Sequence, residues 1–257
     1  MRLSLAEQTI WYLNIAAALF LLFRLYSYRL ISLYPALFTY FLVDAVEQAA
    51  ELMFGRRRHV YGEIYFVGQS LKLAIAMLVV LELYQLALAK QPALARFGAR
   101  TLGYVFAVAV VVGVANFFVS TGTSTDRNKY PIEFLRLEST VDLVTLVVLA
   151  IITAFLLWFP VRSSRNVALC LAGFVIYSLQ RYAGLLVTSY WPLRTHTFSI
   201  VMLCASFLCL ILWAVAVTSR GQVETVVTGH RWNPAEAERL TIQLDAINAW
   251  LLRVGRS

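Results

Sequence analysis

Ionisable and amide side chains recur inside otherwise apolar stretches, and their spacing gathers them into stripes. Tyr40, Asp44, Glu47, Gln48 and Glu51 lie within an arc of about 100° if the chain is helical there. Tyr65, Gln69 and Lys72 share an arc of about 60° by the same geometry. Glu138, Asp142 and Thr145 make a third stripe, and Tyr177, Gln180, Arg181 and Gly184 a fourth; Asn14, Asn116 and Ser199 are isolated polar groups. Two cations among carboxylates, amides and phenols can hold a small polar or anionic ligand. Lys72 and Arg181 would bind its acceptors, while the acids and amides orient it or relay protons. The same groups can instead close ion pairs, Lys72 with Asp44 and Arg181 with Asp142, that only fix helix packing. Glu47, Glu51 and Glu138 sit near the ends of their stretches and read as interfacial residues paired with Arg56, Arg57, Arg58 or Arg136. The expected ligand-binding set is Tyr40, Asp44, Tyr65, Gln69, Lys72, Asn116, Asp142, Tyr177, Gln180 and Arg181.

Other chemistries lack the residues they need. Haem held between helices needs axial histidines facing the interior, and the only three, His59, His196 and His230, fall in loops or tail. The same shortage argues against histidine-based metal sites and serine–histidine proteolysis. Ser70 and Lys72 stand about 200° apart on a helix and cannot meet as a dyad. A retinal Schiff base needs a lysine in the last span, which has none. Asp44 and Asp142 lack the Tyr-Asp and Gly-x-Gly-Asp settings of intramembrane aspartyl proteases, and no P-loop, Gly-x-Gly-x-x-Gly or HExxH occurs. Cys170, Cys204 and Cys209 all fall in apolar stretches and read as packing residues. Neither an enzymatic activity nor a cofactor or metal is expected.

The elements that must position the stripes follow from composition. Of 257 residues 60% are hydrophobic and 14% charged, and the mean hydropathy is +0.72. A soluble domain has about half and about a quarter. Seven apolar stretches, at about 8–24, 31–52, 61–88, 101–120, 137–159, 166–188 and 197–218, are each long enough to cross about 30 Å of hydrocarbon as a helix. The fold class is therefore all-α, a polytopic membrane protein with seven transmembrane helices and a C-terminal amphipathic helix. Residues 1–218 form the bundle, 219–233 a linker and 234–255 the amphipathic helix. The third stretch is long, so its end near Glu82 and Gln85 is expected to project into the interface or water.

With alternating spans, the polar positions fall in the halves on the N-terminal side, leaving the other halves apolar. Lysines and arginines number 12 on the opposite side and 8 on the N-terminal side, which predicts an inner-membrane protein with its N-terminus outside and its C-terminus cytoplasmic. The basic excess is accounted for by lipid and orientation, with no nucleic acid implied. In the tail, Asn233-Pro234-Ala235-Glu236 carries a helix-start signal. Leu240, Leu244, Ile247 and Leu251 then make one apolar stripe, suited to the inner membrane face, the underside of the bundle or a protein partner.

Several local motifs carry a resemblance. They are Tyr34-Pro35 with Phe38 and Tyr40, Tyr61 with Tyr65, Leu81-Glu82-Leu83-Tyr84, Leu135-Arg136-Leu137-Glu138-Ser139 and the short terminal helix. Over nearly its full length the chain resembles a family of bacterial seven-helix integral membrane proteins. The resemblance implies the fold and brings no activity, cofactor or catalytic residue with it. Where such relatives often carry Trp and Glu in the third span, this chain has Phe66 and Lys72. The prolines, at 35, 92, 131, 160, 192 and 234, all lie at span ends or in loops, so the helices are unbroken. Unbroken spans favour a sensor-like bundle signalling through a separate partner, or an accessory subunit of a membrane complex, over a small-solute carrier.

Overall fold

The computed structural model describes residues 5–54, 58–122, 130–159, 161–190, 195–223, 225–228 and 234–254. Seven long helices lead the chain: α1 Leu5–Ser27, α2 Pro35–Phe54, α3 Arg58–Ala87, α4 Pro92–Gly122, α5 Tyr130–Trp158, α6 Arg165–Tyr190 and α7 Thr195–Ala216. A single turn, α8 Arg220–Val223, and a terminal helix, α9 Pro234–Val254, follow. Among the described residues the protein is all-α apart from two four-residue strands, β1 Val161–Ser164 and β2 Thr225–Thr228.

Stretches of α1, α3, α4, α5 and α6 are long and apolar enough to cross a membrane. The apolar run of α7, Ile200–Ala216, is shorter, and α2 is interrupted by Asp44, Glu47 and Glu51. The helices pack α1 on α2 and α7, α2 on α3, α3 on α5, α4 on α5, and α6 on α5 and α7. Val108 and Val111 of α4, Leu157 of α5 and Leu212 of α7 point outward and are exposed. Such a surface is ill-suited to water and matches hydrocarbon. Within, Leu25, Leu37, Phe41, Val79, Leu83, Leu149, Phe174, Leu210 and Trp213 form a dry core toward the end of the bundle that carries α8 and α9.

The structure departs from sequence expectation in several elements. α4 begins at Pro92, nine residues before the expected start at 101, so Arg96 and Arg100 are helical and not in a loop. Proline suits a first helical turn because its missing N–H has no partner to lose there. α5 starts early, beside Pro131, for the same reason. His59 and His196 fall in the first turns of α3 and α7 rather than in loops. Glu82 does not project outward: its carboxylate accepts the backbone N–H groups of Ala36 and Leu37 at 2.7 and 3.2 Å, capping the start of α2. Negative charge is favoured at those free N–H groups. Gln85, by contrast, is exposed as expected.

The segment read as a linker is partly built. β2 pairs antiparallel with β1, Val161 opposite Thr228 and Ser164 opposite Thr225. Asn166, fully buried, donates to the Thr218 carbonyl at 2.7 Å and accepts the Thr218 N–H at 3.3 Å, while the Tyr34 hydroxyl donates to Gln222 at 3.0 Å. These bonds fasten the chain after α7 to the start of α6 and to the residue that precedes α2. Beyond them α9 packs on α4: Leu244 is buried, and the Asn248 side-chain oxygen accepts the N–H groups of Ala93 and Leu94 at the start of α4. Leu244 therefore serves the chain's own core, whereas Ile247 stays 45% exposed, and Leu240 and Leu251 are half-buried.

Candidate functional site

Four helices converge on Arg181. Its Nε donates to Asp142 Oδ2 at 2.9 Å, and its Nη2 to Glu138 Oε1 at 2.8 Å and Gln69 Oε1 at 2.7 Å. Its Nη1 lies 3.4 Å from the Tyr40 hydroxyl, which accepts. A residue of α6 thus binds α2, α3 and α5 at one level of the bundle. The Tyr65 hydroxyl donates to the second oxygen of Glu138 at 3.0 Å, adding a further α3–α5 link.

A second cation closes α2 on α3. Lys72 Nζ is 2.9 Å from Asp44 Oδ1 and 2.7 Å from Glu47 Oε2, and all three side chains are nearly inaccessible. Gln48 Nε2 donates to the other Asp44 oxygen at 2.7 Å. Gly68 makes this approach feasible, because a Cβ there would collide with the Glu47 carboxyl. That carboxyl is the end of a flexible chain, so Gly68→Ala is expected to swing Glu47 off Lys72, leave the helices in place and cost about 1–2 kcal/mol. The check is a double-mutant cycle on thermal unfolding: the penalty should vanish in a Glu47→Ala background, and persistence there would locate the clash elsewhere.

Between the two cations lies one cavity of about 360 Å³. Asp44, Glu47, Gln48 and Glu51 of α2, Tyr65, Gln69 and Lys72 of α3, Glu138 of α5, and Tyr177, Gln180, Arg181 and Gly184 of α6 line it. Trp11 and Asn14 of α1 and Phe198, Met202, Leu203 and Ser206 of α7 complete the wall. Its volume is within the range of about 300–1,000 Å³ usual for small-ligand pockets. Edge-to-face aromatic pairs underlie it: Tyr40 on Phe174 at 5.6 Å, Tyr40 on Tyr177 at 6.1 Å and Phe41 on Trp213 at 5.2 Å between ring centres. Such pairs add about 0.5–1.5 kcal/mol each beyond area burial and make a stiff floor between the polar and apolar ends.

Of the residues expected at a site, Asp44, Tyr65, Gln69, Lys72, Tyr177, Gln180 and Arg181 line the cavity together. Tyr40 and Asp142 stand behind Arg181 as its partners. Asn116 is on α4 with its side chain outside the described residues. Gln180 is committed to α7, donating to the Met202 carbonyl at 2.8 Å, as Asn14 does to Leu203 at 2.9 Å. Both expected ion pairs are present, Lys72 with Asp44 and Arg181 with Asp142.

Glu47 and Glu138 are the main corrections. They are 5% and 2% exposed and sit on Lys72 and Arg181, so neither is an interfacial residue waiting for a surface arginine. The stripes contained the signal: Glu47 is three residues from Asp44 and Glu138 four from Asp142, so each shares a face with a carboxylate already assigned to the site. Glu51 also lines the cavity and has no hydrogen bond or ion pair among the described residues. The aromatic members Trp11 and Phe198 carried no sequence signal, since aromatic residues are abundant throughout the chain.

No family model matches the chain, and neither a curated protein nor a solved structure matches it.

Proposed function

We propose that α1–α7 all cross the cell's inner membrane, with the N-terminus outside and the C-terminus cytoplasmic, as a sensor-like bundle. A small polar ligand occupies the cavity, and output passes through a separate partner. One observation carries the reading: Lys72 and Arg181, borne on different helices, bound a single cavity confined to one end of the bundle. Ionisable groups in hydrocarbon are costly, about 2.5–3.5 kcal/mol each on insertion scales, and are retained where they have work to do. In this reading β1 and β2 form the output linkage. β1 runs directly into α6, which carries Arg181, and β2 leads toward α9. On α9, Ile242, Ile247 and Trp250 remain exposed for a partner or the lipid surface.

A second reading makes the protein an accessory subunit of a membrane complex. It is favoured by the fact that both cations already have carboxylate partners, as interhelical glue would. A small-solute carrier ranks third. Purification from native membrane separates the first two: a small molecule recovered by mass spectrometry supports the sensor, whereas a stoichiometric protein partner with an empty cavity supports the subunit.

A further inference from the structure

We infer that the cavity's ligand is a small organic ammonium ion, held by Glu47, Glu51 and Gln48 against aromatic walls. The inference rests on the pocket reading above and adds the sign and chemistry of the occupant.

Charge is the first ground. Asp44, Glu47, Glu51, Glu138 and Asp142 are five carboxyl groups around the two cations Lys72 and Arg181, a formal excess of three negative charges when all are ionised. The cations, which sequence reading offered to an anion, are spent on this excess. Arg181 uses four hydrogen bonds, two of them to carboxylates, and Lys72 lies between two carboxylates. An anion entering here would displace them or meet like charge at close range.

Unsatisfied acceptors are the second ground, independent of the count. Glu47 has a side chain 3% exposed, yet its Oε1 has no hydrogen-bond partner among the described residues, and the Gln48 side-chain oxygen is likewise buried and unpaired. Both residues line the cavity. Buried acceptors are nearly always paired, and leaving one unpaired costs about 1–3 kcal/mol, so these oxygens call for a donor from the cavity. An ammonium group supplies two or three N–H donors and the missing positive charge together.

Shape is the third. Trp11, Tyr65, Tyr177 and Phe198 line the same space, and aromatic faces attract cations. A cavity of about 360 Å³ is too large for one bare metal ion and suits an organic cation with an apolar body.

The test uses the full chain purified in detergent at fixed ionic strength, with three probes sharing one ring: benzylammonium, benzyl alcohol and benzoate. Benzylammonium at about 10 mM is expected to raise Tm by several degrees, and the other two to leave it unchanged. Glu47→Gln and Glu51→Gln should each weaken the apparent affinity about tenfold or more; Glu51→Gln removes no ion pair among the described residues, so it keeps the test valid if the Glu47 variant folds poorly. Stabilisation by benzoate alone, or equally by all three, overturns the ammonium assignment while leaving a binding pocket. No shift from any probe also overturns it. In that case labelling of Gly184→Cys by a water-soluble thiol reagent decides whether the pocket itself stands, since a dry, unlabelled Gly184 position removes both.

Discussion

Arg181→Met is expected to cost about 3–5 kcal/mol, the largest loss among the site's residues, because it strips the countercharge from two buried carboxylates at once. Glu138 and Asp142 would be left 2% and 8% exposed with no cation, and Gln69 and Tyr40 would lose their donor. Asp142 stands behind Arg181, outside the cavity wall, so its bare carboxylate would have no counter-ion within reach. The loss should therefore appear as a large fall in Tm and in the yield of monodisperse protein after extraction. Adding Glu138→Gln and Asp142→Asn to Arg181→Met should return half or more of the loss, since the penalty lies in the orphaned charges and not in the missing arginine. An Arg181→Met protein within about 1 kcal/mol of the parent would mean that those acids are hydrated already.

Lys72→Ala should be the next most damaging substitution and should be chemically reversible. Asp44 and Glu47 lose their shared cation, with an expected cost of about 3 kcal/mol or more. The deleted atoms correspond to propylammonium, and the vacated space opens on the cavity, so added n-propylammonium should restore much of the lost Tm. n-Propanol, of equal size and no charge, should not. Equal rescue by both would reduce the role of Lys72 to filling volume.

These expectations depend on contacts that were legible in the chain to different degrees. Helical stripes with a period of 3.6 residues indicate which faces meet, and the Lys72–Asp44 and Arg181–Asp142 pairs are one of the two uses that depth and angle allow those residues. Depth alone misplaced Glu47 and Glu138, because a residue one turn from a span end looks interfacial until the neighbouring helices are in position. The sign of the cavity was hidden for the same reason. Two cations in hydrocarbon suggest an anion, and only the tertiary arrangement reveals that five carboxyl groups surround them.

Short and distant pairings were not legible at all. The strand residues Val161–Ser164 are too few to show a period-2 pattern, and their partners lie some 60 residues away. Glu82, whose local context suggests exposure, caps α2, and Asn248, which carries no local signal, caps α4; both are long-range uses. Start signals fared better where the chemistry is local: Pro234 and Glu236 were read as the opening of a helix, and α9 begins at Pro234.

On the proposed reading, side chains from separate helices enclose one wet chamber at a single end of the bundle. Cysteine accessibility in intact membranes tests it most directly. On a background with Cys170, Cys204 and Cys209 replaced, single cysteines would be placed at Glu51, Gln69 and Gly184 in the cavity wall and at Val111 and Leu212 on the outer face. A membrane-impermeant, water-soluble thiol reagent should label the first three from one side of the membrane only and leave Val111→Cys and Leu212→Cys unreacted. Labelling of the outer-face cysteines, or silence at all three cavity positions, would contradict the account.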